Sequence, residues 1–112
     1  MGLNVTAKNY ILDNLATVVV KAKLYDSTGA EILDHSDAAQ AKDLSWGSAS
    51  GGEITASSVE FQVKAGKTVA ELAYLKADLT EYGRDTIPEG EREAYANDGI
   101  MTLTSAKINL NA

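Results

Sequence analysis

From Thr17 onward the chain is written in short runs that alternate apolar and polar residues, each run closed by a turn carrying Gly, Asn or Asp. A period of two puts successive side chains on opposite faces of an extended strand, so such runs fold only where a sheet has one face to bury. Val18, Val20, Ala22 and Leu24 share one phase, and Val19, Lys21, Lys23 and Tyr25 the other. Asp26-Ser27-Thr28-Gly29 is turn chemistry, with Gly29 free to take a positive φ, and Glu31-Ile32-Leu33 reads as the returning strand of a hairpin. Leu44 and Trp46 resume the alternation, Ser48 to Gly52 is a loop, and Ile54 to Ser58 is a weaker strand. Val59, Phe61 and Val63 alternate cleanly, Ala65-Gly66-Lys67 turns the chain, and Val69 to Leu75 is apolar on both faces apart from Glu71. That last pattern predicts a central strand buried between two layers. After the Asn97-Asp98-Gly99 turn, Ile100, Thr102, Thr104, Ala106, Ile108 and Leu110 hold one phase, as one long strand or two joined by a bend at Ser105. The expected fold is mainly β, an antiparallel β-sandwich or barrel with a short N-terminal α-helix.

The helix belongs to residues 1–16. Asn4 can cap it, and Leu3, Ala7, Tyr10, Ile11 and Leu15 recur at helical spacing, which predicts one apolar face. At about three turns it needs a surface to hold it. Residues 34–42 are polar and alanine-rich and fit a loop or a short helix. Residues 78–98 differ from the rest. They hold Asp78, Glu81, Asp85, Glu89, Glu91, Glu93 and Asp98, both arginines and the single proline, Pro88. This predicts a charged excursion with little share in the core, carrying a helical turn near Glu89 to Tyr95; long loops of this kind are usually functional or disordered.

With 112 residues the chain is expected to form one domain, 1–112. Its net charge of −6 argues against nucleic acid and anionic lipid as partners. The absence of Cys removes disulfides, thiolate metal sites and cysteine nucleophiles. No run reaches the 18 or so apolar residues of a membrane helix, and residues 1–6 lack the basic-then-apolar pattern of a secretory leader.

Chemistry is sparse. His35, between Asp34 and Asp37, is the only histidine and has no second ligand or nucleophile at a recognisable spacing. No nucleophile elbow, calcium loop, phosphate loop or dinucleotide fingerprint occurs, so no catalytic residue, metal or cofactor is expected. Trp46 and Tyr74 fit core positions. Tyr82 and Tyr95 share the charged excursion with Arg84 and Arg92. Tyr and Arg are enriched at binding hot spots, so these four are the expected partner-binding residues.

The order of segments brings a resemblance. Residues 7–15 (Ala-Lys-Asn-Tyr-Ile-Leu-Asp-Asn-Leu) lead into Thr17-Val18-Val19-Val20, then Lys23 to Glu31, then Leu44-Ser45-Trp46 with a Ser/Ala/Gly stretch, then Val59-Glu60-Phe61-Gln62-Val63-Lys64-Ala65-Gly66-Lys67-Thr68-Val69. Over roughly residues 7 to 75 this resembles small virion structural proteins of tailed bacteriophages. Tyr25 stands where that group often has a His, and residues 78–98 are charged where it has a further regular strand. The resemblance implies a non-enzymatic role in the virion, made in the bacterial host cytoplasm: capsid decoration, head fibre, or minor tail or neck component. It implies capsid or tail proteins as partners, with self-association. A receptor- or carbohydrate-binding module is the alternative, and it calls for exposed aromatics beside a ligand-sized cleft.

Overall fold

The computed structural model describes residues 2–87, 89–104 and 106–111, with the backbone alone for Glu91. Helix α1 (Val5–Leu15) is followed by eight strands: β1 (Lys21–Asp26), β2 (Lys42–Asp43), β3 (Glu53–Thr55), β4 (Val59–Val63), β5 (Val69–Leu75), β6 (Glu81–Thr86), β7 (Gly99–Leu103) and β8 (Lys107–Asn109). All pairings are antiparallel. One layer is a four-stranded sheet in the order β2-β1-β5-β6. In the other layer β3 pairs with β8 and β4 with β7 in one unbroken register, from Glu53↔Asn109 to Val63↔Gly99. The two pairs share one pairing frame and together are called the ribbon. The sheets do not close into a barrel, so the fold is a mainly β, sandwich-like one with a short N-terminal helix.

The core lies between the layers. Ala22, Leu24, Leu72 and Tyr74 come from the sheet, Phe61, Val63, Leu103 and Ala106 from the ribbon, and Ile32 and Leu44 from the connections. Each fully buried Phe, Leu or Ile contributes about 1.5–3 kcal/mol relative to exposure. Strand β5 is central and buried on both faces, as its continuous apolar run requires. Its outward residues Ala73 and Leu75 are buried although they face away from the core. Ala73 sits in register between Lys23 and Arg84, and Leu75 between Lys21 and Glu81, so long charged side chains lie over them. The same side chains form ion pairs: Lys23 with Glu31, Lys21 with Asp43, and Arg84 with Glu81 and Glu71.

The turn after β1 is built on Asp26. Its Oδ1 accepts from the Thr28 hydroxyl (2.6 Å) and from the amides of Thr28 and Ala30, while Gly29 supplies φ 86°. Burial opposes ionisation of this carboxyl, but these donors and Lys67 Nζ at 3.6 Å outweigh it and hold its pKa below the ordinary value. The hairpin return is only a bridge, Tyr25↔Glu31. Residues 34–42 form a loop up to Lys42, with Asp34 accepting from the amides of Ser36 and Ala38.

Four expectations need correction. The helix forms with Asn4 as its cap, but Leu12, not the expected stripe, is its buried residue; Tyr10 is 70 % exposed and Ile11 41 %. The strand runs from Lys21 and not Val18, because the turn that ends the helix carries on through Val18; Val18 is exposed and Val19 buried. Residues 78–98 are no free excursion: β6 pairs with β5 along its length, and Ile87 and Tyr95 pack on the core. In β7 the inward residues are Met101 and Leu103, leaving Ile100 57 % exposed, whereas Ala106 turns inward before β8. The phase thus changes between Leu103 and Ala106. Ser105, where a bend was expected, and Pro88 lie outside the described residues.

Candidate functional site

The two lateral sides of the sandwich are finished differently. On one, residues 42–47 run from sheet to ribbon. Lys42 pairs with Ala22 and the Leu44 amide donates to Val20 O (2.8 Å); then Trp46 bridges Ala56 and the Gly47 amide donates to Thr55 O (2.9 Å). The Trp46 indole N–H donates to Val19 O (2.7 Å), and its ring lies 6.2 Å from that of Tyr74. The buried Gln40 carries the closure further. Its amide group donates to Gln62 O and accepts from the Gln62 amide, as a neighbouring strand would.

The other side stays open between β6 and β8. A cavity of about 520 Å³ lies there, lined by residues 82–85 of β6, residues 107–109 of β8, and Leu15, Val19 and Tyr74 behind them. That volume falls in the range of ligand pockets. The Tyr74 hydroxyl spans the gap, donating to Asp85 Oδ2 (2.7 Å) and lying 3.1 Å from Lys107 O. Burial and the adjoining Asp85 carboxylate push the Tyr74 pKa well above that of free tyrosine, so the hydroxyl stays protonated as a donor.

Helix α1 stands beside this opening and is attached by its polar side. Asn9 Oδ1 accepts from the Gly52 amide (2.9 Å), Asp13 Oδ1 from the Ala49 amide (2.9 Å), and Lys8 Nζ donates to Asn111 (2.9 Å). Gly52 takes φ 77° and leaves the Asn111 side chain the space a Cβ would fill. With Leu12 and these polar residues facing the body, Tyr10 and Ile11 face out, and Leu3, Val5 and Val18 at the two ends of the helix are exposed as well.

The four expected binding residues fall into two places. Tyr82 and Arg84 are at the open side. Tyr82 is the extra residue of a bulge in β6, 53 % exposed, with Lys76 Nζ 5.8 Å from its ring centre. The Arg84 guanidinium lies 3.9 Å from the Tyr25 ring centre and pairs with Glu81 at 2.6 Å. Arg92 and Tyr95 are elsewhere. Arg92 Nε donates to Ile87 O (2.9 Å), and Tyr95 exchanges backbone bonds with Gly66 and Lys67, with its ring half-buried. They hold the return leg of the chain in place. Sequence reading missed Asp85, Lys107 and Asn109, because nothing in an all-polar edge strand marks the face that lines a cavity.

No family model, curated protein or solved structure matches this chain. The site is therefore read from its own chemistry. His35 lies away from the cavity, with Nε2 2.9 Å from Gly99 O and 3.3 Å from Val63 O, bracing the start of β7 against the end of β4. Among the described residues no group of three or more His, Cys, Asp or Glu is placed to hold a metal ion, and no helix is long and apolar enough to cross a membrane. The arrangement offers hydrogen-bonding edges, an exposed tyrosine and an apolar helix face, which are the means of binding.

Proposed function

We propose that this chain is a non-enzymatic structural component of a tailed-phage virion, one that decorates and stabilises the capsid by docking on its symmetric lattice. The observation that carries the docking reading is the orientation of α1: its polar side and Leu12 anchor it, and Tyr10 and Ile11 are left facing outward. Exposed apolar side chains such as Tyr10 and Ile11 on an anchored helix suit a protein–protein contact. The virion assignment rests on the segment order of residues 7–75 and on their resemblance to such proteins. Placement at the tail or neck is the neighbouring reading, and self-contact between copies on the lattice goes with either.

Light scattering with and without isolated virus shells tests this. A defined oligomer, or a monomer that pellets with shells, is the expected result. The double variant Tyr10→Ser/Ile11→Ser is expected to pellet at least about tenfold less well, a loss of about 1.4 kcal/mol. A monomer indifferent to shells would remove the decoration reading. The carbohydrate-binding alternative is favoured by one observation, the 520 Å³ cavity with exposed Tyr82 at its edge. It predicts that a glycan screen finds a ligand whose binding Tyr82→Ala abolishes.

A further inference from the structure

The open side of the sandwich has the form of a strand position left vacant. Strand β6 ends its sheet and β8 ends the ribbon, so among the described residues each has one unpaired edge. In an antiparallel pair, hydrogen-bonded and non-bonded residue pairs alternate. The Ile87 amide donates to Ala70 O, which makes 72/85 and 74/83 the bonded pairs and turns the main-chain groups of Arg84 and Thr86 outward. The amides of Ala56 and Leu110 donate to Ala106 O and Gly52 O, which in the same way turns Lys107 and Asn109 outward from β8. The Tyr74 hydroxyl lying against Lys107 O agrees with that direction.

We infer that this side binds an extended segment of a different protein, which pairs its backbone with β6 and β8 and completes the sandwich. The fold itself provides the precedent: residues 42–47 close the opposite side in this manner, pairing first with β1 and then with β3. The main chain supplies affinity in such strand addition, and pockets for alternate side chains supply selectivity. Here the inner wall is Leu15, Val19, Tyr74 and Ile108, which takes apolar residues at every second position. The charge of −6 disfavours a second copy and attracts a segment with basic flanks at long range, while the groove itself is of mixed charge, with Arg84 and Lys107 beside Asp85. Glu81, Arg84 and Asp85 on β6 are also the kind of charges that keep sheet edges from pairing with themselves.

The inference deepens the docking reading and rests on it. Its test uses the full chain and a synthetic peptide of alternating threonine and valine with a lysine at each end, at millimolar concentration, followed by backbone amide NMR. Amide shifts and a tenfold or greater slowing of hydrogen exchange are expected at Arg84, Thr86, Lys107 and Asn109. Lys107→Pro removes an outward N–H that the fold does not use, and is expected to abolish the effect while leaving the spectrum folded. No response at these four amides, or protection arising from self-association without peptide, would overturn the inference. If shells bind and the peptide does not, docking stands and strand pairing falls. If the peptide binds and shells do not, the groove stands and the shell is removed as its partner.

Discussion

The two lateral sides of the sandwich use the same materials to opposite ends. On the closed side a single segment, residues 42–47, satisfies strand edges in both layers, Trp46 packs beneath it, and Gln40 imitates a strand next to Gln62. On the open side the edges of β6 and β8 face a cavity, joined among the described residues through the Tyr74 hydroxyl. Stability is concentrated on the first side and vacant bonding capacity on the second. Binding surfaces have to be drawn from the less committed parts of a fold, and here the chain separates the two duties by position.

This contrast can be broken by substitution. Trp46→Ala removes the ring packed on Tyr74 and leaves Val19 O without its donor; a loss of about 3–5 kcal/mol is expected in denaturant unfolding. Gln40→Ala leaves the main-chain groups of Gln62 buried without a partner, and about 1–3 kcal/mol is expected from the same measurement. Asp26 gives a pH signature. Its folded pKa lies below that of an ordinary aspartate, so its contribution is present above the ordinary value and is lost as pH falls through the lower, folded one. Asp26→Ala is expected to flatten the acid limb of the stability curve and to cost about 1–2 kcal/mol at neutral pH. On the open side Tyr82→Ala should change stability by no more than about 0.5 kcal/mol while weakening docking, as an exposed contact residue does. A large destabilisation by Tyr82→Ala would erase the contrast.

Most of the framework was legible from period and turn chemistry. Val69 to Leu75 reads as a central strand because both its faces are apolar, and Gly29 and Gly66 mark turns because the backbone there takes positive φ. Strand β6 was not legible. It is an edge strand with most residues exposed on both faces, so no alternation records it, and its Glu, Arg and Asp are what solvent allows there. The orientation of α1 was misread for a related reason. Of its periodic apolar residues Leu15 packs on the core while Leu3, Tyr10 and Ile11 are exposed, and Asn9 and Asp13, which no hydrophobic pattern weighs, fix it to the loop at 49–52. Tyr82 and Arg84, singled out by residue type, fall at the open side. Their separation from Arg92 and Tyr95 follows from the pairing of β6 with β5, which sequence spacing does not contain.

Amide hydrogen exchange on the free protein tests the asymmetry most directly. Leu44, Gly47 and Ser57 on the closed side should be protected, because each donates to a backbone carbonyl across the junction. Arg84, Thr86, Lys107 and Asn109 should exchange close to the unprotected rate while their neighbours Asp85 and Ile108 are slow. Uniform protection along β6 and β8 would mean that the edges are already paired, and would contradict the vacant side on which the strand-pairing inference depends.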